Sequence, residues 1–235
     1  MRIALCFYGF LRTFEKTHHS FINHLVNRGD VDVFLYSPNI RNDGDGSAVS
    51  SEYIVNNFRA SLVNYNLFHY DTAVFKSLTS WLQLPEKEYW NSWVGDTYKS
   101  LSMFFQIMNV LCMKEQHEKK NNFEYDVVIL SRPDIMIMEP FQFDRDMTKV
   151  YFSGPPTTPH IAPIIGSNPI QYIADHIIMT NSKNMSGIKN VYNLIQWYSR
   201  EGIIINNETL LGFYLIKNKI EIVNQKFTSY ELMKQ

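Results

Sequence analysis

The chain has 235 residues, with 22 lysines and arginines balanced by 23 aspartates and glutamates, which gives a formal net charge of −1 at pH 7. This balance argues against a nucleic-acid-binding protein, because that class shows an excess or a stripe of basic residues. Hydrophobic residues make up 45% of the chain and charged residues 19%, a composition that excludes intrinsic disorder.

The cysteines and the apolar runs indicate a reducing, aqueous compartment. Cys6 and Cys112 are too few for a disulfide framework, and both lie within apolar segments, which predicts buried thiols. The longest apolar runs, residues 3–10 and 127–130, are far shorter than the roughly 20 residues that span a bilayer. We therefore expect no transmembrane segment and a location in the cytoplasm of the producing or host cell.

The start of the chain has the strand–helix–strand order of a Rossmann-like unit. Residues 2–9 are apolar on both alternating faces, which is typical of a central parallel strand covered by helices on both sides. Residues 13–27 show helical spacing of apolar side chains, and the pattern over residues 31–37 predicts a second strand that Pro38 would end. The pattern then becomes less regular, and we predict a loop over 39–51, a helix over 51–64, a strand over 67–75 and an irregular segment over 81–93.

A long helix is predicted from an Asp96 cap to about residue 119. Its apolar stripe contains Leu101, Phe104, Phe105, Met108, Leu111 and Cys112. The strongest strand pattern follows over residues 125–131, and Arg132-Pro133-Asp134 ends it before a short apolar run over 135–138.

The second half departs from strict alternation of strands and helices. We predict strands over 149–153, 175–180 and 220–223, helices over 182–200 (with a Ser182 cap) and 206–218, and a loop over 154–169 that holds five of the nine prolines. No linker is apparent in the composition. The sequence therefore predicts one α/β domain over residues 1–235, with a mostly parallel central sheet flanked by helices.

Several familiar active-site motifs are absent. The segment from Tyr8 to Thr13 has one glycine where a dinucleotide-binding loop needs three, and no Walker loop, H-E-x-x-H, C-x-x-C or G-x-S-x-G occurs. What remains is Arg132 and Asp134 at the carboxyl end of a central strand, where open α/β sheets bind ligands. A carboxylate there can hold Mg²⁺ or Mn²⁺, and an arginine can bind phosphate, or the two side chains can simply pair.

Five segments, in this order, resemble a group of small nucleotide-sugar glycosyltransferases that some bacteria and large DNA viruses encode: residues 8–13, 31–34, 125–134, 175–185 and 207–211. That group has the GT-A-type fold, and its Arg-Pro-Asp turn stands where other members of the fold place a metal-binding D-x-D. The resemblance implies transfer of a sugar from a UDP- or GDP-sugar to a hydroxyl of a glycan acceptor, assisted by Mn²⁺ or Mg²⁺. Residues 1–138 would then form the nucleotide-sugar half and residues 139–235 the acceptor half.

The resemblance also implies roles at the donor end. Asp134 matches the last aspartate of the D-x-D and would hold the metal, whereas Arg132 stands where the first would be. Tyr8, Gly9, Arg12 and Arg132 would contact the donor, and Gly9 without a Cβ would let it approach the backbone closely. The alternatives are that Gly9 only forms a turn and that Arg12 is a solvated residue at a helix start.

At the acceptor end, Asp175 would be the base that takes the hydroxyl proton in an inverting transfer, or it caps a turn. His176 would complete the metal shell. Glu208 would bind the acceptor, although its place after a possible Asn206 cap also fits an ordinary first-turn acid. His160, in the proline-rich loop, would be a further acceptor-binding residue.

Three further alternatives remain open. Lys99 and Gln106 share a face of the long helix and either reach the donor phosphates or form a solvated helix surface. A sugar-phosphate nucleotidyltransferase would have a similar sheet, but that class usually shows a glycine-rich loop with arginine and lysine after the first strand, and residues 8–13 do not. A non-catalytic glycan-binding module would instead use Trp81, Trp90 and Trp93 as an aromatic platform.

Overall fold

The computed structural model describes residues 1–42, 45–82, 97–153, 173–203 and 205–233. The predicted Asp96 cap, the proline-rich loop with His160, and two of the platform tryptophans, Trp90 and Trp93, lie outside these residues. Among the described helices, none combines the length and the apolar character that crossing a bilayer requires.

Eleven strands and seven helices follow one another along the described residues. The strands are β1 (Arg2–Tyr8), β2 (Asp30–Pro38), β3 (Ile40–Asn42), β4 (Asp45–Ala48), β5 (Leu62–Phe68), β6 (Val127–Ser131), β7 (Ile135–Ile137), β8 (Val150–Phe152), β9 (Ile177–Thr180), β10 (Ile222–Asn224) and β11 (Tyr230–Leu232). The helices are α1 (Phe14–His24), α2 (Ser51–Phe58), α3 (Thr72–Thr79), α4 (Thr97–Asn121), α5 (Ser182–Ile188), α6 (Val191–Arg200) and α7 (Asn207–Lys217).

A seven-stranded sheet in the order β10-β8-β9-β6-β1-β2-β5 forms the centre of the fold. β1 pairs in parallel with β2 and β6, and β2 pairs in parallel with β5. β9 runs antiparallel to both of its neighbours, β6 and β8, whereas β10 is parallel to β8. The predicted α/β class with a mostly parallel sheet is therefore confirmed, and the arrangement is compatible with a Rossmann-like fold.

Helices cover both faces of this sheet, as the apolar run in β1 predicts. Successive β1 side chains alternate between two cores, so Ile3, Leu5 and Phe7 pack with residues of α1 and α2. Ala4, Cys6 and Tyr8 pack on the opposite face with residues of α3 to α7. A strand covered on both faces has no solvated side, which is why β1 lacks the usual alternation of apolar and polar residues.

Between residues 39 and 79 the sequence-based boundaries are wrong. The predicted loop over 39–51 contains the β3–β4 hairpin, and the predicted helix over 51–64 ends at Phe58. β5 begins at Leu62 and ends at Phe68, where we predicted a strand over 67–75. β5 is an edge strand whose side chains are half-buried or exposed, so it lacks the apolar run that marks a buried strand. Asp71 instead caps α3, because its Oδ1 accepts a hydrogen bond from the Ala73 amide at 2.8 Å.

The second half also differs from its predicted elements at two places. The helix predicted over 182–200 is divided into α5 and α6, and its cap is Asn181, whose Oδ1 accepts from the Asn184 amide at 2.9 Å. Ser182 is not the cap, because its hydroxyl donates to Glu118 on α4. The sequence also did not predict β11, which pairs antiparallel with β7 beside the main sheet.

Candidate functional site

A cleft of about 210 Å³ opens at the carboxyl ends of β1 and β6, the edge at which the sequence predicts a ligand site. β9 is antiparallel, so its first residue, Ile177, pairs with Ser131 at the end of β6 and places the preceding residues at the same edge. The described residues that line the cleft are Tyr8, Gly9, Phe10, Arg12, Tyr70, Lys99, Ser102, Met103, Gln106, Arg132, Pro133, Asp134, Asp175 and Asn207.

Gly9 turns the chain out of β1 in a backbone conformation that side chains with a Cβ rarely adopt, with φ at +106°. Its amide donates to Gln106 Oε1 at 2.8 Å, and its carbonyl accepts from the Ser37 hydroxyl at 2.9 Å. Gln106 is buried, so it is not part of a solvated helix surface. Gly9 thus forms a turn, and whether a donor also approaches its backbone closely stays a prediction.

Arg132 and Asp134 form a side-on ion pair at the end of β6. Arg132 Nε donates to Asp134 Oδ1 at 2.9 Å, and Nη2 donates to Oδ2 at 2.6 Å. The Nη1 of Arg12 lies 3.8 Å from the same Oδ2. Asp134 is only 5% exposed, so its charge is compensated mainly by these guanidinium groups rather than by water.

The electrostatics of the cleft keep Arg132 charged. Burial alone would lower the pKa of this guanidinium, but the hydrogen bond to Asp134 and the charge of Asp175 raise the pKa above its ordinary value. The pKa of the Tyr8 hydroxyl is raised well above its ordinary value, mainly by burial and then by the charge of Asp175. Its hydroxyl donates to the backbone carbonyl of Asp175, which ties the end of β1 to the segment before β9.

Asp175 lies two residues before β9 and is held from one side by α7. Its Oδ2 accepts from Asn207 Nδ2 at 2.9 Å, while Oδ1 lies 3.8 Å from Arg132 Nη1 and 3.9 Å from His176 Nε2. Asn207 is the first residue of α7, whose cap is Asn206, as predicted. The Oδ1 of Asn207 is buried without a hydrogen-bond partner among the described residues.

His176 is adjacent to the cleft but lines a neighbouring pocket with Tyr230. The Tyr230 hydroxyl donates to the Ser153 carbonyl at 2.6 Å, so His176 Nδ1, 2.8 Å from that hydroxyl, is the protonated nitrogen that donates to it. Burial lowers the pKa of His176, although the Asp175 charge opposes this shift. The imidazole is therefore neutral near pH 7, with its lone pair on Nε2.

The arrangement does not fit a divalent cation bound by Asp134 and His176. Both oxygens of Asp134 accept hydrogen bonds from Arg132, and His176 lies in the neighbouring pocket. Within the described ranges, no group of three or more histidine, cysteine, aspartate or glutamate side chains is arranged to hold a metal ion. A magnesium or manganese site normally offers free carboxylate oxygens to the metal.

The cleft brings together most of the residues that the sequence singled out. Tyr8, Gly9, Arg12, Arg132, Asp134 and Asp175 line it, together with Lys99 and Gln106 from α4. Glu208 lies in the first turn of α7, outside the cleft lining. Sequence reasoning missed Asn207, Phe10 and Tyr70. Asn207 begins one of the segments that carry the resemblance and directly follows the Asn206 cap, but neither feature indicated its contact with Asp175.

No protein-family model matches this sequence, and no curated protein matches it. The functional conclusion therefore depends on the geometry of the cleft and on the resemblance in the sequence.

Proposed function

We propose that the protein is a glycosyltransferase of the GT-A type that moves a sugar from a nucleoside diphosphate sugar to a hydroxyl of a glycan acceptor. The observation that supports this most is the convergence of two guanidinium groups and a fixed carboxylate in one cleft at the carboxyl ends of parallel strands. A diphosphate leaving group needs positive charge, and an attacking hydroxyl needs a base beside it.

The donor would lie across the end of β1. Arg12 and Arg132 would bind the diphosphate, because planar guanidinium groups match phosphate oxygens bidentately. Phe10 and Tyr70 line the same cleft with ring centroids 4.9 Å apart, and aromatic faces of this kind can contact a nucleobase. Gly9 would allow close approach of the donor to the backbone between these groups.

The acceptor would enter from the side of α7. Asp175, held by Asn207, would take the proton from the attacking hydroxyl in an inverting transfer. Glu208 in the adjacent turn would contact the acceptor. The acceptor-binding role of His160, which lies outside the described residues, stays a prediction from the sequence. Arg132, 3.8 Å from Asp175, would link the base to the diphosphate end of the site.

A thermal-shift series with UDP, GDP, UDP-sugars and GDP-sugars tests the donor class. A ligand present at about 100 times its Kd stabilises the folded state by about 2.7 kcal/mol, which is easily seen in the melting temperature. Release of UDP or GDP on addition of glycans would then identify the reaction. No shift with any nucleotide would favour a glycan-binding module, and turnover of a nucleoside triphosphate with a sugar phosphate would favour a nucleotidyltransferase.

Replacement of Arg12 tests the donor end directly. Arg12→Ala should raise the KM for the donor by about tenfold or more, because a charge-assisted hydrogen bond to phosphate is lost. Arg200→Ala, which removes an exposed arginine at the end of α6, is the matched control. An unchanged KM in the Arg12 variant would favour the alternative that Arg12 is a solvated residue that does not contact the donor.

A further inference from the structure

The Arg132–Asp134 ion pair lies where the predicted cation would bind. A metal ligated by Asp134 would have to displace a guanidinium that makes two hydrogen bonds, at 2.6 and 2.9 Å, to a carboxylate that is almost fully buried. Otherwise it would bind beside Arg132 and Arg12, whose positive charges repel it at short range. Both routes oppose a metal at this carboxylate.

Building on the proposed function, we infer that Arg132 and Arg12 neutralise the donor diphosphate in place of a divalent cation, and that Asp134 is the positioning residue that holds Arg132 for this task. Donor binding then requires no metal. The side-on pair uses Nε and Nη2, so Nη1 and its two N–H groups remain on the side of Asp175. The 3.8 Å from Nη1 to Asp175 Oδ1 exceeds hydrogen-bond distance, which leaves these N–H groups able to bind an anion.

The charges around the cleft agree with this inference. Among the described side chains that line it, Arg12 and Arg132 carry positive charge, and their guanidinium nitrogens lie 3.8 and 2.6 Å from Asp134 Oδ2. A diphosphate would therefore meet two guanidinium groups at this point of the cleft without any metal. Asp134 contributes to this by fixing the direction of Arg132, since side-on pairing restricts both rotation and tilt of the guanidinium plane.

Calorimetric titration of metal-stripped protein with UDP and with GDP, in buffer with EDTA and in buffer with Mn²⁺, tests the inference on the wild-type chain. For the nucleotide that binds, we expect the two Kd values to agree within about threefold, well below the tenfold change that 1.4 kcal/mol represents. Agreement supports the inference. Binding that appears only with Mn²⁺ overturns it and leaves the proposed function standing.

Absence of binding by either nucleotide in both buffers would overturn the proposed function, and with it this inference. The two failures are therefore distinguishable in one set of titrations.

Two variants separate positioning from metal ligation. In EDTA, Arg132→Lys should weaken nucleotide binding by about tenfold or more, because an ammonium cannot pair side-on with Asp134 and still present two N–H groups to a diphosphate. Arg200→Lys, on the exposed surface of α6, should leave the Kd unchanged. Asp134→Asn should weaken binding equally in EDTA and in Mn²⁺.

A loss of affinity in Asp134→Asn that is confined to the Mn²⁺ buffer would identify Asp134 as a metal ligand and overturn the inference. If this variant does not fold, the wild-type comparison and Arg132→Lys still decide the question.

Discussion

Gly9 shows how a single backbone conformation at the end of β1 shapes the cleft. A Cβ at this position would lie 3.5 Å from Pro133 Cδ, an ordinary contact, so the cost of a side chain comes from the φ of +106° alone. Gly9→Ala should therefore lower the free energy of unfolding by about 1–3 kcal/mol, the range for a strained backbone conformation. Urea denaturation measures this value.

Gly46 in β4 is the matched control for Gly9, because a Cβ there would have no atom within 4 Å and its φ lies outside the positive region. Gly46→Ala should change stability little, or raise it by a few tenths of a kcal/mol through the unfolded state. Equal losses in the two variants would contradict the role of the Gly9 backbone.

Asp175 is the residue whose replacement separates binding from chemistry. Asp175→Asn keeps the shape of the side chain and removes its ability to accept a proton. If transfer is inverting, kcat should fall about 10²-fold or more, which is the usual contribution of acid–base catalysis. The donor Kd should change little. Single-turnover kinetics with a donor that binds would measure both. A kcat near that of wild type would show that Asp175 is not the catalytic base.

Sequence reasoning identified these residues unequally, for physical reasons. Arg132 and Asp134 could be predicted because they follow the most apolar strand and are two residues apart, so their pairing is local. Asn207 could not, because its contact with Asp175 joins positions 32 apart and depends on how α7 packs. A single polar residue in the sequence does not indicate its hydrogen-bond partner when tertiary packing determines that partner.

At the scale of elements, α4 contains a polar residue where its apolar stripe predicts core. Lys114 is fully buried and donates to Ser182 at 2.6 Å and to Ser186 at 3.2 Å on α5, and its Nζ lies 2.9 Å from Glu118 Oε2. It lies three residues after Leu111, on the same helix face. The ammonium thus joins α4 to α5, a role that periodicity alone does not reveal.

Lys114→Met should destabilise the fold by about 3–5 kcal/mol, because it leaves Glu118 as a buried charge without its cation. Lys119→Met, an exposed position on the same helix, should stay within about 0.5 kcal/mol of wild type. Chemical denaturation of the pair measures the difference. Similar free energies for both variants would show that the buried ammonium is not needed to compensate Glu118.

The buried strands were predictable from their apolar runs. β1, β2, β6, β8 and β9 are buried runs, and the sequence predicted each of them. β5 and β11 are partly exposed, and their sequences lack an apolar run long enough to identify them. Exposed strands are specified by their pairing partners, which a single sequence does not display.

At the scale of the whole molecule, the antiparallel β9 assembles the site. Because β9 runs against β6, the residues before it, Asp175 and His176, lie at the same sheet edge as Arg132, whose amide donates to the His176 carbonyl at 3.1 Å. The sequence could predict that ligands bind at this edge. It could not predict the direction of β9, which decides whether Asp175 faces Arg132 or lies at the opposite edge.

His176 also links the main sheet to the β7–β11 ribbon through Tyr230, and this link should make stability depend on pH. Burial lowers the folded-state pKa of His176, so below the ordinary value of about 6.5 the unfolded chain binds a proton that the folded chain does not. The contribution of His176 to the free energy of unfolding is therefore fully present above about pH 6.5. This contribution decreases as the pH falls toward the folded-state pKa, by at most about 1.4 kcal/mol per pH unit.

His176→Asn tests this link, because the asparagine amide can still donate to Tyr230 but does not titrate in this range. Unfolding free energies of wild type should decline between pH 6.5 and pH 5 more steeply than those of the variant. His19→Asn, at an exposed position on α1, is the control and should keep the wild-type slope. If His176→Asn and wild type decline in parallel, the neutral imidazole at this joint does not contribute to the acid sensitivity of the fold.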